Sequence, residues 1–370
     1  MTFIAPLTSL RFFAAAAVAV VHLKGAFGYE TGNISFAPAI TFFFVLSGFV
    51  LTHVYQEFPD TRSVVRFYVS RIARLWPLHL MTALYFLLAI FVPSWEIVLS
   101  NLLLVQSWSM ELATAMSMNG VSWSISVEVF FYLIFPAVVV TRRYWPAWLL
   151  GAILIVVIGL TMAVRAGEVQ EHLNGISWLS FLHVGPPARF LEFLAGVLTA
   201  LLFRRHRQIK LSFQAWTVLE ILALVGVLAS VQIEPLLTLS WSYLPPAVCV
   251  WLIQSGSFVT MCLAIFCFAH SGGALSRMLS LKPFIFLGDI SFALYMVHQL
   301  VLVTWLYRGW APHEWDPVAL SLIWAQIMAV SALSFLLVEK PAKAAILAIY
   351  RKVGAMRWGR TDQTGSAASP

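Results

Sequence analysis

The sequence predicts an all-α integral membrane protein, a single bundle of about ten transmembrane helices with the N- and C-termini both cytoplasmic. Three observations predict it. First, 61% of the 370 residues are hydrophobic and 11% are charged, where soluble domains hold about 45–50% and about 25%. Second, apolar stretches recur along the chain at the length of about 20 residues that a helix needs to cross a hydrocarbon core of about 30 Å. Third, Lys and Arg gather in alternate connections between those stretches, which sets orientation by the positive-inside rule.

The first span, 7–23, contains Arg11 and has neither a basic n-region nor a small-residue cleavage site, so it reads as a retained helix rather than a signal peptide. Further spans are expected at 35–56, 75–93, 126–141, 146–164, 188–203, 214–233, 244–269, 284–307 and 318–338. The connections 57–74, 141–145, 204–213 and 270–283 and the chain from 339 carry 18 of the 23 Lys and Arg. The opposite side carries Lys24, Arg165 and Arg308. Between Ser94 and Ser124 the pattern is least regular. Residues 96–106 read as a short interfacial helix and 110–120 as an outer loop, and a re-entrant element fits the same stretch. A membrane domain over 1–341 is followed by a basic cytoplasmic tail, 342–370, expected to be disordered after Trp358. Cys249, Cys262 and Cys267 share one span and read as packing residues. The net charge of +7 is spread over the inter-span clusters, which argues for topology and against a nucleic-acid partner.

An ionisable group at mid-helix costs about 2.5–3.5 kcal/mol or more on insertion scales, so each one implies a partner or a watery cavity. Arg11 and His22 share one face of the first span, separated by a rise of roughly 16 Å. Two readings stand: an arginine snorkelling to headgroups with a histidine ending the helix, or a cation and a proton acceptor on one face. Glu128, with Tyr132 one turn on, is either a capping carboxylate or a functional acid. Arg189 and Glu192, at i and i+3, predict an intrahelical ion pair. Asp289 and His298 point to opposite sides of the ninth span and need different partners. Arg71 and Arg74 form a cationic pair at the inner mouth of the third span, suited to phosphate oxygens of a substrate or of lipids. His53, His79 and His183 read as lone interfacial histidines, and no metal is expected, because no HExxH or CxxC spacing occurs.

Six stretches, LTSLRFFAAAAVAVVH, FFFVLSGFVL, RIARLWP, SWSISVEVFFYLIFP, RFLEFLAGVLTA and ISFALYMVH with a later VEKP, together resemble the integral-membrane acyltransferase-3 family, the O-antigen acetylase-like O-acyltransferases of bacteria. They stand in the family's order and cover about residues 7–341. The resemblance implies a multi-pass enzyme of the bacterial cytoplasmic (inner) membrane. It would move an acyl group, often acetyl, from cytoplasmic acyl-CoA to a hydroxyl of a cell-surface or exported glycan. The donor is then a substrate, acetyl-CoA in the simplest case, and no permanently bound cofactor is implied. Carried over residue by residue, the motifs make His22 and Glu128 catalytic, and Arg11, Arg71, Arg74, Tyr132, Tyr295 and His298 substrate-binding. The chain departs from the family at Val129 and Phe130, where a second acid and a polar residue are common. It departs again at His79 for a frequent tyrosine and at Ala39-Ile40-Thr41 for a Gly-Val-acid lead. No fused SGNH-like hydrolase domain is expected.

On this reading Arg71 and Arg74, helped by Arg11, hold the phosphates of acyl-CoA. His22 deprotonates the acceptor hydroxyl or first takes the acyl group itself, and Glu128 orients its ring or stabilises the protonated form. Three other readings use the same residues: a proton-coupled transporter or flippase with Arg11, His22 and Glu128 as relay, a non-catalytic sensor or scaffold, and the same chemistry on a macrolide or lipid headgroup. Trp95, Trp108, Trp178, Trp241, Trp310 and Trp315 on the outer side fit an interfacial belt or stacking on sugars.

Overall fold

The computed structural model describes residues 3–28, 38–231, 243–312 and 316–364, so Trp241 and Trp315 lie outside the described residues. The described chain is helical. It runs through α1 (Ala5–Phe27), α2 (Pro38–Val54), α3 (Thr61–Ala89), the short α4 (Trp95–Leu102) and α5 (Leu112–Ala115), α6 (Trp123–Val140) and α7 (Trp145–Arg165). Next come the short α8 (Trp178–Val184), then α9 (Phe190–Arg205), α10 (Phe213–Val231), α11 (Pro246–Ser255) and α12 (Phe258–His270). The chain ends with α13 (Ala274–Leu279), α14 (Lys282–Asp289), α15 (Ser291–Tyr307), α16 (Pro317–Ser334) and α17 (Lys340–Thr364). Among the described residues, seven helical stretches are long and apolar enough to cross a membrane, and the pair α14–α15, bent by 56°, makes an eighth if counted as one span. All ten expected spans fall on helices, but α2 and α9, with 17 and 16 residues, are shorter than a full crossing.

Those two short helices form the closest pair in the bundle. A Cβ placed on Gly48 of α2 would run into the backbone carbonyl of Phe193, and one on Gly196 of α9 into that of Val45. In lipid, apolar burial does not drive one helix onto another, so small residues that let backbones touch take over that role. Around this contact an aromatic core joins four helices: Phe44 of α2, Phe67 of α3, Phe131 and Phe135 of α6, and Phe190 and Phe193 of α9 are all buried. The Phe131 and Phe193 rings stack at 4.7 Å.

Two boundaries differ from expectation. The third helix starts at Thr61 instead of 75, because Asp60 and Ser63 form a capping box in which the Ser63 amide donates to Asp60 over 2.7 Å. At 29 residues α3 is roughly 44 Å long, so Arg71 and Arg74 stand on a rigid helix instead of a loop. The tail is helical as far as Thr364, with a π-turn over Phe335–Glu339 preceding it. Residues 94–122 fold into short helical turns tied into the bundle by buried hydrogen bonds: Ser107 donates to Ser126 over 2.6 Å and Gln106 to Ser122 over 3.1 Å.

Candidate active site

A cavity of about 320 Å³ lies between the first half of α1, most of the length of α2, the middle of α3, α6 and the α14–α15 bend. Its wall is apolar where Leu7, Phe43, Phe44 and Leu46 face it. Its charged lining consists of Arg11, Arg71, Arg74, Glu128 and Asp289, beside the hydroxyls of Ser47, Ser124, Tyr132 and Tyr295. Local structure explains the convergence. Glu128 and Tyr132 are one turn apart on α6. Asp289 ends α14, which lies against α1 because Gly288 leaves no side chain to collide with the Thr8 backbone.

Glu128 accepts hydrogen bonds from the Tyr132 hydroxyl and from Ser47 Oγ, the latter at 3.3 Å. The Arg71 guanidinium sits 5.7 Å from the Tyr132 ring centre and 5.9 Å from those of Tyr55 and Phe67, a cation over three aromatic faces. Arg11 feels the charges of Arg74, Glu128 and Glu339, and Arg74 those of Glu128, Glu339 and Asp289. Lys343 at the start of α17 adds a further cation to Arg74 and Arg71. Among the described residues only His183–Glu171 and Arg189–Glu192 close ion pairs within 4 Å. The cavity arginines thus keep their forks off any carboxylate, ready for the oxygens of an anion.

Sequence reasoning missed Glu339, Ser47 and Lys343. Glu339 is 8% exposed on the π-turn, with Oε2 unpartnered. Its signal was an acid ending the apolar run before Lys340-Pro341, and π-turns often mark functional positions.

His22 and His298 do not line this cavity; they pair with each other. His22 Nδ1 lies 2.9 Å from His298 Nε2, with the rings inclined by only 13°. The expectation gave the orienting of the His22 ring to Glu128; the residue found against that ring is His298, while Glu128 Oε1 accepts from Tyr132 and Ser47. Tyr295, one turn before His298 on α15, closes the near wall with its hydroxyl 2.7 Å from Ser124 Oγ. The eight expected residues therefore divide in two. Arg11, Arg71, Arg74, Glu128, Tyr132 and Tyr295 share the cavity, and the histidine pair stands one turn beyond Tyr295.

A second polar network surrounds the expected pair on α9. Arg189 Nε and Glu192 Oε2 lie 2.9 Å apart, both side chains buried. Thr41 bridges Glu192 and the Gln254 carbonyl at 3.0 Å each. An acid in place of Thr41 would confront Glu192, which explains why a hydroxyl suits this position. In the loop after α7, burial raises the pKa of Glu171, but the His183 charge and hydrogen bonds from His183 and Gln254 outweigh it and hold the carboxyl below its ordinary range. His183 is thus paired rather than alone. His79 is likewise not alone: it is buried and bonded to the Asn101 carbonyl at 2.8 Å.

A family model described as an acyltransferase domain matches residues 5–338. The chain belongs to the acyltransferase-3 family. This acyltransferase is 31% identical over 322 residues to Acyltransferase MdmB of Streptomyces mycarofaciens, covering 80% of this chain and 78% of the relative. It is 26% identical to Nodulation protein 10 of Rhizobium leguminosarum bv. viciae, covering 90% of this chain and 91% of the relative. Its likeness to Peptidoglycan O-acetyltransferase OatA of Listeria monocytogenes is 23%, over 92% of this chain and 56% of that longer protein. No solved structure matches the chain significantly. Family and helices together make the protein a multi-pass membrane acyltransferase.

Proposed function

We propose that this acyltransferase takes an acyl group, acetyl in the simplest case, from acyl-CoA on the cytoplasmic side. It passes the group to a hydroxyl of an exported or cell-surface glycan, in the inner membrane of a bacterium, with about ten spans and both termini inside. The observation that carries the reading is the cavity in which Arg11, Arg71 and Arg74 converge without carboxylate partners. Guanidinium forks free of carboxylates match the phosphates of a nucleotide-bearing thioester. The peptidoglycan O-acetylation named for one relative supports the glycan acceptor.

The donor's phosphates bind Arg71 and Arg74, and the slim pantetheine arm passes Tyr295 and Ser124 toward His22. The His22 imidazole takes the proton of the acceptor hydroxyl as its oxygen attacks the thioester carbonyl. The new C–O bond forms, the C–S bond breaks, and the CoA thiolate leaves and takes that proton back from His22 as the free thiol. Glu128, held by Tyr132 and Ser47, sets the field at the arginines.

Radiolabelled acetyl transfer from acetyl-CoA into surface polysaccharide tests this, with membranes carrying wild type, His22→Ala or Arg74→Ala at matched expression. Loss of a general base removes about 10²–10⁴ in rate, so label enters with the wild type and is lost with His22→Ala and Arg74→Ala. Equal label in all three overturns the site. No label in any overturns the donor or the acceptor.

A further inference from the structure

The histidine pair contains more chemistry than a general base alone. His298 Nδ1 lies 3.0 Å from the carbonyl oxygen of Leu294, one turn back on α15, and its Nε2 lies 2.9 Å from His22 Nδ1. A carbonyl oxygen accepts and never donates, so the hydrogen of the neutral His298 ring sits on Nδ1 and its Nε2 carries only a lone pair. That lone pair faces His22 Nδ1, which must then bear the hydrogen of its own ring. The opposite assignment, with His298 Nε2 donating to His22, sets two lone pairs against each other between His298 Nδ1 and Leu294.

We infer that His298 is a positioning residue that locks His22 as its Nδ1–H tautomer, leaving Nε2 of His22 as the one nitrogen that takes a proton from the acceptor hydroxyl. This rests on the reading of His22 as general base. A base fixed in one tautomer by a third group is the general arrangement of nucleophile-activating sites. Here the third group is a neutral imidazole, itself anchored by a carbonyl that the helix holds still. When His22 gains the proton at Nε2, it keeps donating Nδ1–H to His298, so the ring does not turn during transfer.

Two measurements test it on the full-length protein in nanodiscs. The first is 15N NMR of histidine-labelled protein, with the signals of His22 and His298 assigned by their loss in His22→Ala and His298→Gln. The expected spectrum shows His22 protonated at Nδ1 and bare at Nε2; the reverse overturns the inference whatever the substrate. The second is steady-state transfer from acetyl-CoA by His298→Gln, whose amide oxygen reaches His22 and accepts its hydrogen, and by His298→Leu, which offers no acceptor. Leucine should lower kcat at least about 100-fold, the lower range for a lost general base, with the KM for acetyl-CoA near wild type, while glutamine restores most of the rate. A leucine variant that turns over like wild type, or a glutamine variant as poor as leucine, overturns the positioning role. If leucine prevents folding, His298→Asn, whose amide is too short to reach, replaces it. Full activity of His22→Ala instead removes the general base itself and leaves the tautomer measurement standing.

Discussion

At the residue scale, the informative contact is the one that holds one oxygen of a carboxylate beside the arginines. Glu128 shares the cavity with Arg11 and Arg74, and the Tyr132 and Ser47 hydroxyls both donate to its Oε1. A hydrogen bond to a charged group contributes about 1.5–3 kcal/mol. Tyr132→Phe leaves Oε1 held by Ser47 alone, so the carboxylate turns more readily to Arg74, whose charge it already feels, and competes with a bound anion. The expected outcome is a KM for acetyl-CoA raised roughly tenfold or more with kcat little changed, measured by steady-state transfer. A fall in kcat at constant KM would place Tyr132 in the chemistry instead. Arg11, Arg71, Arg74 and Glu128 were legible in the sequence because a charge inside or beside an apolar span is conspicuous. The pairing of His22 with His298 was not, since 276 residues separate them and no local pattern encodes which imidazole a ring will meet.

At the element scale, the two glycine motifs GFVL and AGVLTA explain the placing of the cavity's α2 wall. Gly48 and Gly196 let α2 and α9 touch backbone to backbone, and that contact holds Ser47 toward Glu128. A methyl group at either position meets a carbonyl that cannot rotate away. Gly48→Ala and Gly196→Ala should each destabilise by about 1–3 kcal/mol, the usual cost of overpacking, seen as a lowered thermal midpoint in detergent. Gly25 in α1 and Gly226 in α10 have open space around them. There the same change should be neutral or stabilising by about 0.5–1 kcal/mol through helix propensity. Equal effects at all four positions would show that close approach is not what these glycines provide. Sequence reading found both motifs without the reason, because a glycine in an apolar run looks alike whether it faces lipid or a neighbouring backbone. The start of α3 was misplaced for a different reason: the Asp60–Ser63 cap is a local signal, but arginine-rich polarity outweighed it when the boundary was drawn from hydropathy.

At the scale of the whole molecule, the cavity and the charge asymmetry point the same way. The cavity takes in the start of α1, α2 as far as its end and the arginine-bearing part of α3, and the end of α2 leads into 57–74, one of the connections that hold most of the Lys and Arg. The proposed orientation, read from the positive-inside rule, makes those ends cytoplasmic, and on that reading a donor that binds Arg71 and Arg74 enters from inside. A charged nucleotide does not cross the bilayer, because even one charge at its centre is costly, and this makes sidedness measurable. Acetyl-CoA added to inverted vesicles should support labelling that Arg74→Ala abolishes, whereas sealed right-side-out vesicles should show none until they are permeabilised. Labelling of sealed right-side-out vesicles would reverse the orientation of every helix at once and turn the cavity outward, because the alternation of connections ties all the spans to a single choice of side.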